Sequence, residues 1–542
     1  MKKIIAAALL LVGMSGVSCS FLDTEPYDVV TPDNYYNTEG ELQMSLNGVY
    51  AIMANTTLFG GDYLARMGLD ADIGYESYSS DYGTVGDYDV SPSDAKILNF
   101  WRDLYTGIDR ANQLMEHIND AEGVSQRSRD NIYAQALFLR AYYHFLLVVR
   151  FNRIPLILHA TTDSKASNVQ IAQSEPREVY LRIIEDMEEA ADYLYEASEL
   201  QSPGRVSRST AYGMLARVAL YMAGYPVYEA GMYARAKDYA QKVMDTGYHR
   251  LNPSYREFFL NLIQDRYDPQ ESLFEVEFYG NNEGTYTTTA GRVGRDNGIG
   301  CSNNTNVFAD GLTLVDKYGY SIGATRCTPY YYEMFGEGDL RRDWTIADYT
   351  YNTTTGEKTY QTTNIWTRYC GKFRREYEVG PRSTNYTPIN FPLLRYSDVL
   401  LMWAEAVAAD PDNNDAVELA QAYEYVNQVR RRGYGYEVSM SNPLCDLETG
   451  DKMMLLEDIK EERARELGYE CLRKDDILRW GQFYDQMRLM RTYTATILDS
   501  YTSSYYINAK RYYKNASSRD EFWPIPSYEM GVNRQLVQNP GW

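Results

Sequence analysis

Two kinds of residue in this chain have types and spacing suited to chemistry, a single cysteine and a set of tyrosines. Lys2 and Lys3 are followed by an unbroken apolar run over residues 4–12, then by Gly13, Ser15, Gly16, Ser18 and finally Cys19. Positive, then apolar, then small is the layout of an export segment, and this apolar run is too short to span a bilayer. A small residue directly before the cysteine and polar Ser20 after it point to a bacterial lipoprotein signal. The Cys19 thiol is expected to be acylated (palmitate is one such chain) once residues 1–18 are removed, which leaves a soluble body tethered through lipid. Tyrosine, with 52 copies, is the outlying residue type. Its flat apolar ring, hydrogen-bonding tip and few rotors suit wet recognition surfaces. Tyr75, Tyr78, Tyr82 and Tyr88 crowd one loop-rich stretch, residues 68–92.

Other chemistries find no support. The remaining cysteines (Cys301, Cys327, Cys370, Cys445 and Cys471) are odd in number, far apart and without C-x-x-C. They imply neither a disulfide framework nor a zinc site, although one bridge among Cys301, Cys327 and Cys370 is compatible with export. The four histidines show no ligand spacing. Gly291, Gly294, Gly298 and Gly300 lack the strand, turn and G-K-[ST] of a phosphate loop. Asp410, Asp412, Asn414 and Asp415 begin like a calcium loop, but Asp415 occupies the glycine position and Gln421 the final glutamate, so an acidic helix connection is expected. Glu461, Glu462, Arg463, Arg465 and Glu466 read as a charged helix face or a buried ion network. No nucleophile, base and orienting residue share a motif, and nothing singles out a carboxylate pair among 75 acidic residues. No enzyme, cofactor or metal is expected. Removing residues 1–18 takes away Lys2 and Lys3, leaving 51 basic against 75 acidic residues, or −24. That balance opposes nucleic-acid binding.

The elements that must position these groups are mostly helical. Apolar residues recur at three- and four-residue spacing over 41–53, 100–118, 132–151, 177–195, 211–223 and 232–244. No stretch after the export segment reads as a transmembrane span. Leu215 and Ala216, followed by Ala236, Ala240 and Val243, have the spacing of a tetratricopeptide-like helix pair with an insert at 224–231. Trp403 and Ala404, then Ala422, Val426 and Val429, repeat it. Small residues at these points let helices approach closely. Phe274, Val276 and Phe278 alternate with Glu275 and Glu277, the pattern of a half-buried strand. From 280 to about 390 the chain is rich in Gly, Thr, Asn and Tyr but also holds Trp344, Trp366 and Phe373, so an ordered, function-bearing loop region is expected. The organisation is an export segment (1–18), a helical N-terminal region (19–265) and a C-terminal region (266–542) with long loops at 280–390.

Several segments resemble one family. Leu394-Arg395-Tyr396-Ser397-Asp398 runs into Trp403-Ala404-Glu405-Ala406. Asn427-Gln428-Val429-Arg430-Arg431-Arg432 and Glu462-Arg463-Ala464-Arg465-Glu466-Leu467 follow, then Arg473, Asp476, Arg479 and Trp480. Trp523-Pro524-Ile525-Pro526 and Asn539-Pro540-Gly541-Trp542 close the chain. In the first half, Phe21-Leu22-Asp23, the W-x-x-L-Y-x-x-I-x-x-A-N of Trp101 to Asn112, and the A-x-x-L-R-A-Y-Y-x-F of Ala136 to Phe145 agree. Together they resemble the SusD/RagB family of outer-membrane lipoproteins. Where the family reads E-G-x-R, this chain has Glu470-Cys471-Leu472-Arg473, which takes the glycine from a tight turn.

The resemblance implies a mostly α fold, with a tetratricopeptide-like helix-pair core, a loop-rich layer and a few short strands. It implies a cell-surface, non-catalytic protein of the outer membrane that captures a glycan and delivers it to a SusC-like TonB-dependent transporter. Peptide capture, as in RagB-like members, and a purely structural role beside the transporter are the alternatives. Cys19 carries over as the lipid anchor. On the glycan reading the stacking platform is expected to be Tyr75, Tyr78, Tyr82 and Tyr88, with Tyr279, Tyr286 and Trp366 as further candidates.

Overall fold

The computed structural model describes residues 35–161, 170–280, 290–361, 363–382, 385–498 and 503–542, so Cys19 and Tyr286 lie outside the described residues. The longer helices of the first half are α1 (Glu39–Tyr50), α2 (Ala95–Glu116), α3 (Gln126–Phe151), α4 (Pro176–Tyr193), α5 (Arg208–Ala223) and α6 (Met232–Asp245). Each packs on its predecessor. Several begin ahead of the apolar pattern, where a capping side chain closes the first turn. Asp94 accepts from the backbone N–H of Lys96 and Ile97, Ser125 from Ser128, and Ser207 from Thr210. Ala216, Ala236 and Ala240 are fully buried where α5 meets α6, as the helix-pair spacing requires. Helix α3 is long and apolar enough to cross a membrane, contrary to the sequence reading, but its apolar length is buried between α2 and α4 and serves as core.

The chain then leaves the array and returns to it. After α7 (Tyr255–Ile263), strand β2 (Ser272–Val276) leads out and β6 (Phe391–Arg395) leads back, paired antiparallel with Ser272 opposite Arg395 and Val276 opposite Phe391. Helix α8 (Tyr396–Ala409) then docks on α6, and α9 (Ala416–Gly433) on α8, so the helix stack continues in space across the excursion. Asp415, in the acidic connection between them, caps α9. Helices α10 (Lys452–Leu467), α11 (Arg473–Arg479), α12 (Phe483–Ala495) and α13 (Ser504–Asn515) complete the C-terminal part. Strand β2 is buried along its whole length, Glu275 included, because α5 packs against both β2 and β6. The half-buried pattern therefore holds only at Glu277, which is exposed.

The irregular layer between β2 and β6 carries small cores of its own. Cys327, Tyr331, Phe335, Ile346 and Cys370 pack with Tyr469, while Ile299, Cys301, Leu314, Tyr349 and Tyr351 form another cluster. Cys301, Cys327, Cys370, Cys445 and Cys471 are all free and buried. Burial pushes the thiols of Cys301 and Cys370 up to about 12, so they act as small apolar groups.

The root of this layer is a ring of buried charge. Arg395, the last residue of β6, reaches Glu271 at 3.0 Å, Glu466 at 2.8 Å and Glu470 at 2.9 Å. Arg432 of α9 bonds the same Glu271 at 3.0 Å and Glu466 at 2.5 Å. Arg341, from the layer itself, adds contacts to Glu466 (3.2 Å) and Glu462 (2.5 Å), and Lys372 meets Glu470 at 2.6 Å. The rings of Phe258 and Phe259 on α7 lie against Arg395. A second set ties α5, α8, α10 and α11: Asp398 bonds Arg217 and Arg463 at 2.6 Å each, Arg463 bonds Asp476 at 2.9 Å, and Arg479 bonds Asp476 at 2.8 Å. The charges of the family-like motifs are these networks. Burial pushes Glu466 upward, but Arg432, Arg395 and Arg341 hold it well below the ordinary carboxylate range. Glu462 and Asp398, likewise desolvated, are drawn down to about 2 by their arginines. The turn that lacks glycine is made nonetheless, with Cys471 at φ 63° and Tyr469 at φ 65°. Side chains in this left-handed region cost about 1–2 kcal/mol, and buried packing of both residues offsets it.

Replacing Glu466 by Gln leaves three guanidiniums short of their shared acceptor and is expected to cost about 3–5 kcal/mol in urea unfolding at pH 7; a loss below 1 kcal/mol would contradict the network. The stabilisation from Glu462 and Asp398 is complete above about pH 5 and is lost as the pH falls through about 2, and that from Glu466, also held low, is lost in the same direction. Glu275 behaves oppositely. Burial pushes it up to about 8, so it folds protonated; its contribution is complete below the ordinary carboxyl value near 4.5 and is lost as the pH rises from there to about 8. Glu275→Gln is therefore expected to gain stability relative to wild type between pH 6 and 9, and a constant difference would refute the assignment.

Candidate functional site

A second hydrophobic core joins the first loop region to the C-terminal helices. Tyr75, Tyr88, Trp366, Phe483, Met490, Tyr512 and Tyr513 meet in it. Strand β1 (Gly74–Glu76) pairs antiparallel with β3 (Thr325–Cys327), Tyr75 lying opposite Arg326, and α13 packs on β1. Such short strands have little stability alone; the ring cluster beneath them supplies it.

This core takes three of the expected platform residues. Tyr75 is fully buried, donates its hydroxyl to the Trp366 carbonyl at 2.6 Å and lies 5.8 Å from the Trp366 ring. Tyr88 is 2% exposed, donates to the Gly68 carbonyl at 2.6 Å and meets Tyr512 edge-on at 4.9 Å. Trp366 is 7% exposed. Rings with their faces taken up by protein cannot stack on a ligand, and these three are pillars. Tyr279 is exposed just beyond β2. Tyr78 is half-buried against the main core with the Arg66 guanidinium 5.4 Å from its ring.

Tyr82 leads to a half-exposed cluster assembled from four distant segments. Its hydroxyl donates to Asn508 Oδ1, and the Arg511 guanidinium stacks 3.8 Å from its ring centre. Asn508 donates to the Ser77 carbonyl at 2.8 Å. Arg326 reaches Ser77 Oγ from Nε at 3.3 Å and donates to the Tyr369 hydroxyl at 2.7 Å, with its guanidinium 3.9 Å above the Tyr369 ring and 5.8 Å from that of Tyr505. Tyr505 leans on Tyr506 at 4.4 Å, and Tyr506 accepts from Asn364 at 2.6 Å. Tyr369 lies this close because Gly300 and Gly323 back it; a Cβ at either would come within 2.5 Å of the Tyr369 side chain, and Gly323 holds φ +55°. The glycines that superficially suggest a phosphate loop thus give close approach to a ring at one end. Tyr82, Tyr369, Tyr505, Tyr506, Arg326 and Arg511 are all partly exposed.

Of this cluster the sequence reading placed only Tyr82. One signal lay in residues 504–515, which hold Tyr505, Tyr506, Tyr512 and Tyr513 beside Lys510, Arg511 and Lys514 with no acidic residue, in a chain of net charge −22. Nothing in the short Thr-Arg-Cys of β3 marks Arg326. Among the described residues no group of three or more His, Cys, Asp and Glu suits a metal ion. Planar rings, stacked guanidiniums and amide edges with no reactive triad make a surface for gripping a polar ligand with flat apolar faces.

A stacked helical array with an irregular layer that carries such a surface defines a binding scaffold. Comparison with known proteins gives its family. The family model described as the SusD family matches residues 270–542, and one described as starch-binding associating with outer membrane matches residues 20–220. The chain belongs to the SusD family. It is 27% identical to a SusD-like protein of Formosa agariphila over 88% of this chain and 91% of that one. It is 23% identical to the starch-binding protein SusD of Bacteroides thetaiotaomicron, covering 100% of this chain and 99% of that one. The crystal structure of a SusD homolog from B. thetaiotaomicron superposes with a TM-score of 0.81 at 26% identity, over 94% of this chain and 98% of that one. The fold is the mostly helical one that the resemblance implies.

Trp366→Ala is expected to cost about 3–5 kcal/mol by opening the second core, read as a lowered urea midpoint. Unchanged stability would return Trp366 to the list of surface residues.

Proposed function

We propose that this chain is a glycan-binding lipoprotein of the cell surface, held to the outer membrane through acylated Cys19. It grips an oligo- or polysaccharide without cleaving it and hands it to a SusC-like TonB-dependent transporter. The observation that carries the binding step is the half-exposed face on which Tyr82, Tyr369 and Tyr505 converge with Arg326, Arg511 and Asn364, over the buried Asn508. A sugar ring has an apolar face that lies flat on aromatic carbon and hydroxyls that pair with amide and guanidinium edges, and this face offers both kinds of group. The similarity to a protein named as starch-binding, and a family description that refers to starch and to the outer membrane, support the reading. Cys19 and the transporter step rest on the sequence pattern and the family.

The test is titration of the mature chain against a panel of polysaccharides, with the ligand recovered and sized afterwards. Binding to at least one glycan is expected, with the ligand's length unchanged. Tyr82→Ala with Tyr505→Ala should weaken binding about tenfold, since each lost stacking contact is worth about 0.5–1.5 kcal/mol. Full affinity in the double variant would remove the site assignment, and a shortened ligand would remove the non-catalytic reading.

A further inference from the structure

We infer that the cluster of Tyr82, Tyr369 and Tyr505 is built for an acidic polysaccharide, one bearing uronate carboxylates or sulfate esters; this deepens the glycan-binding reading above and rests on it.

The chain carries 22 more acidic than basic residues, and many of its buried guanidiniums are matched to carboxylates, although Arg374 donates only to carbonyls and the Tyr349 hydroxyl. Arg326 and Arg511 also lack a carboxylate, and they lie on partly exposed tyrosine rings. Among the described residues the groups that touch Arg326 are Ser77 Oγ, the Thr367 carbonyl, the Tyr369 hydroxyl and the rings of Tyr369 and Tyr505, all uncharged. Arg511 lies on the ring of Tyr82. Neither forms an ion pair among the described residues, in a protein with acid to spare.

Nearby carboxylates are already committed. Asp81 is fully buried between Arg66 and Lys96, at 2.7 Å from each. Asp87 is turned into its own loop, where it accepts from the N–H groups of Gly83 and Thr84 at 3.3 and 3.2 Å. Helix α13, which supplies Tyr505, Asn508 and Arg511, has three basic residues and no acidic one. Arg326 and Arg511 thus have no carboxylate in contact among the described residues, and carboxylates beyond about 8 Å are screened at physiological salt.

The geometry suits an anion on a sugar better than a bare anion. Three hydrogen bonds fix the plane of Arg326, and a guanidinium has five donors, so two remain for a ligand oxygen. Stacking on tyrosine keeps a guanidinium flat and its edge outward, the orientation that forms paired bonds to carboxylate or sulfate. The rings beside it supply the flat apolar contact for the pyranose that carries the acid group.

The experiment uses the mature chain at 20 and 200 mM salt. Affinity is measured for polygalacturonate, alginate, chondroitin sulfate and dextran sulfate, and for starch, laminarin and dextran as neutral probes, with polyglutamate as a polyanion without sugar. At least one acidic polysaccharide should bind ten times more tightly than every neutral one and weaken at least fivefold at the higher salt. Which acidic probe it is separates carboxylate from sulfate recognition. Arg511→Gln, on a half-exposed helix face, should lower that affinity at least fivefold with an unchanged melting curve, and Arg326→Gln should lower it at least as much, with a lowered melting temperature because its bonds to Ser77, Thr367 and Tyr369 are lost. Neutral probes binding as tightly as acidic ones would overturn the charge inference and leave the glycan reading standing. Equal binding of polyglutamate would overturn it too, by showing attraction to charge alone. Absence of binding to any polysaccharide would bring down both.

Discussion

Everything irregular in this molecule hangs from one ring of buried charge. The chain leaves the helix stack beside Glu271 and re-enters it at Arg395, and the two meet directly, with Arg432, Glu466 and Glu470 closing the ring. Taking so many ions out of water is costly, and apolar residues of the same volume would often be as stable or more so. What the charges add is uniqueness. Each guanidinium must find two or three particular oxygens, from α10, from the turn after it and from the residue before β2. Only one placement of these elements satisfies them all. A long loop layer, with few regular elements to fix its position, is set in one register against the helices by that requirement.

The half-exposed tyrosine face follows from the same closure. Tyr82 comes from the loop before α2, Arg326 and Tyr369 from the layer, and Tyr505, Asn508 and Arg511 from α13. No short-range preference brings these together. They meet because the layer is held at its root and because Tyr75, Tyr88, Trp366, Tyr512 and Tyr513 form a shared floor beneath them. The tyrosines therefore divide by depth, the inner ones building the support and the outer ones left half-exposed.

Much of the fold was legible in the sequence. The three- and four-residue period placed α1 to α6, and alanines at 216, 236 and 240 marked a close helix pair. The charged motifs that identify the family were readable as residues, and one offered reading of Glu461 to Glu466, a buried ion network, matches Glu462, Arg463 and Glu466, while Glu461 stays largely exposed. Depth within loops was not legible. Tyr75 and Tyr82 are seven residues apart in the same stretch, and without periodicity nothing distinguishes the ring that turns inward from the one that turns out. Glu275 reads as the solvent side of a strand, yet it is buried and bonded to Ser272 and Asn390. Cys471 sits where a glycine was expected, and only the backbone shows that the left-handed turn persists.

Hydrogen exchange followed by mass spectrometry on an Arg432→Met variant tests the central claim most directly. If the charge ring sets the position of the layer, amides over residues 290–390 lose protection in the variant, while those of α2 to α5 exchange as in the wild type. Equal loss of protection throughout, or an unchanged layer, would show that the irregular region is held by its own small cores and that the ring is incidental.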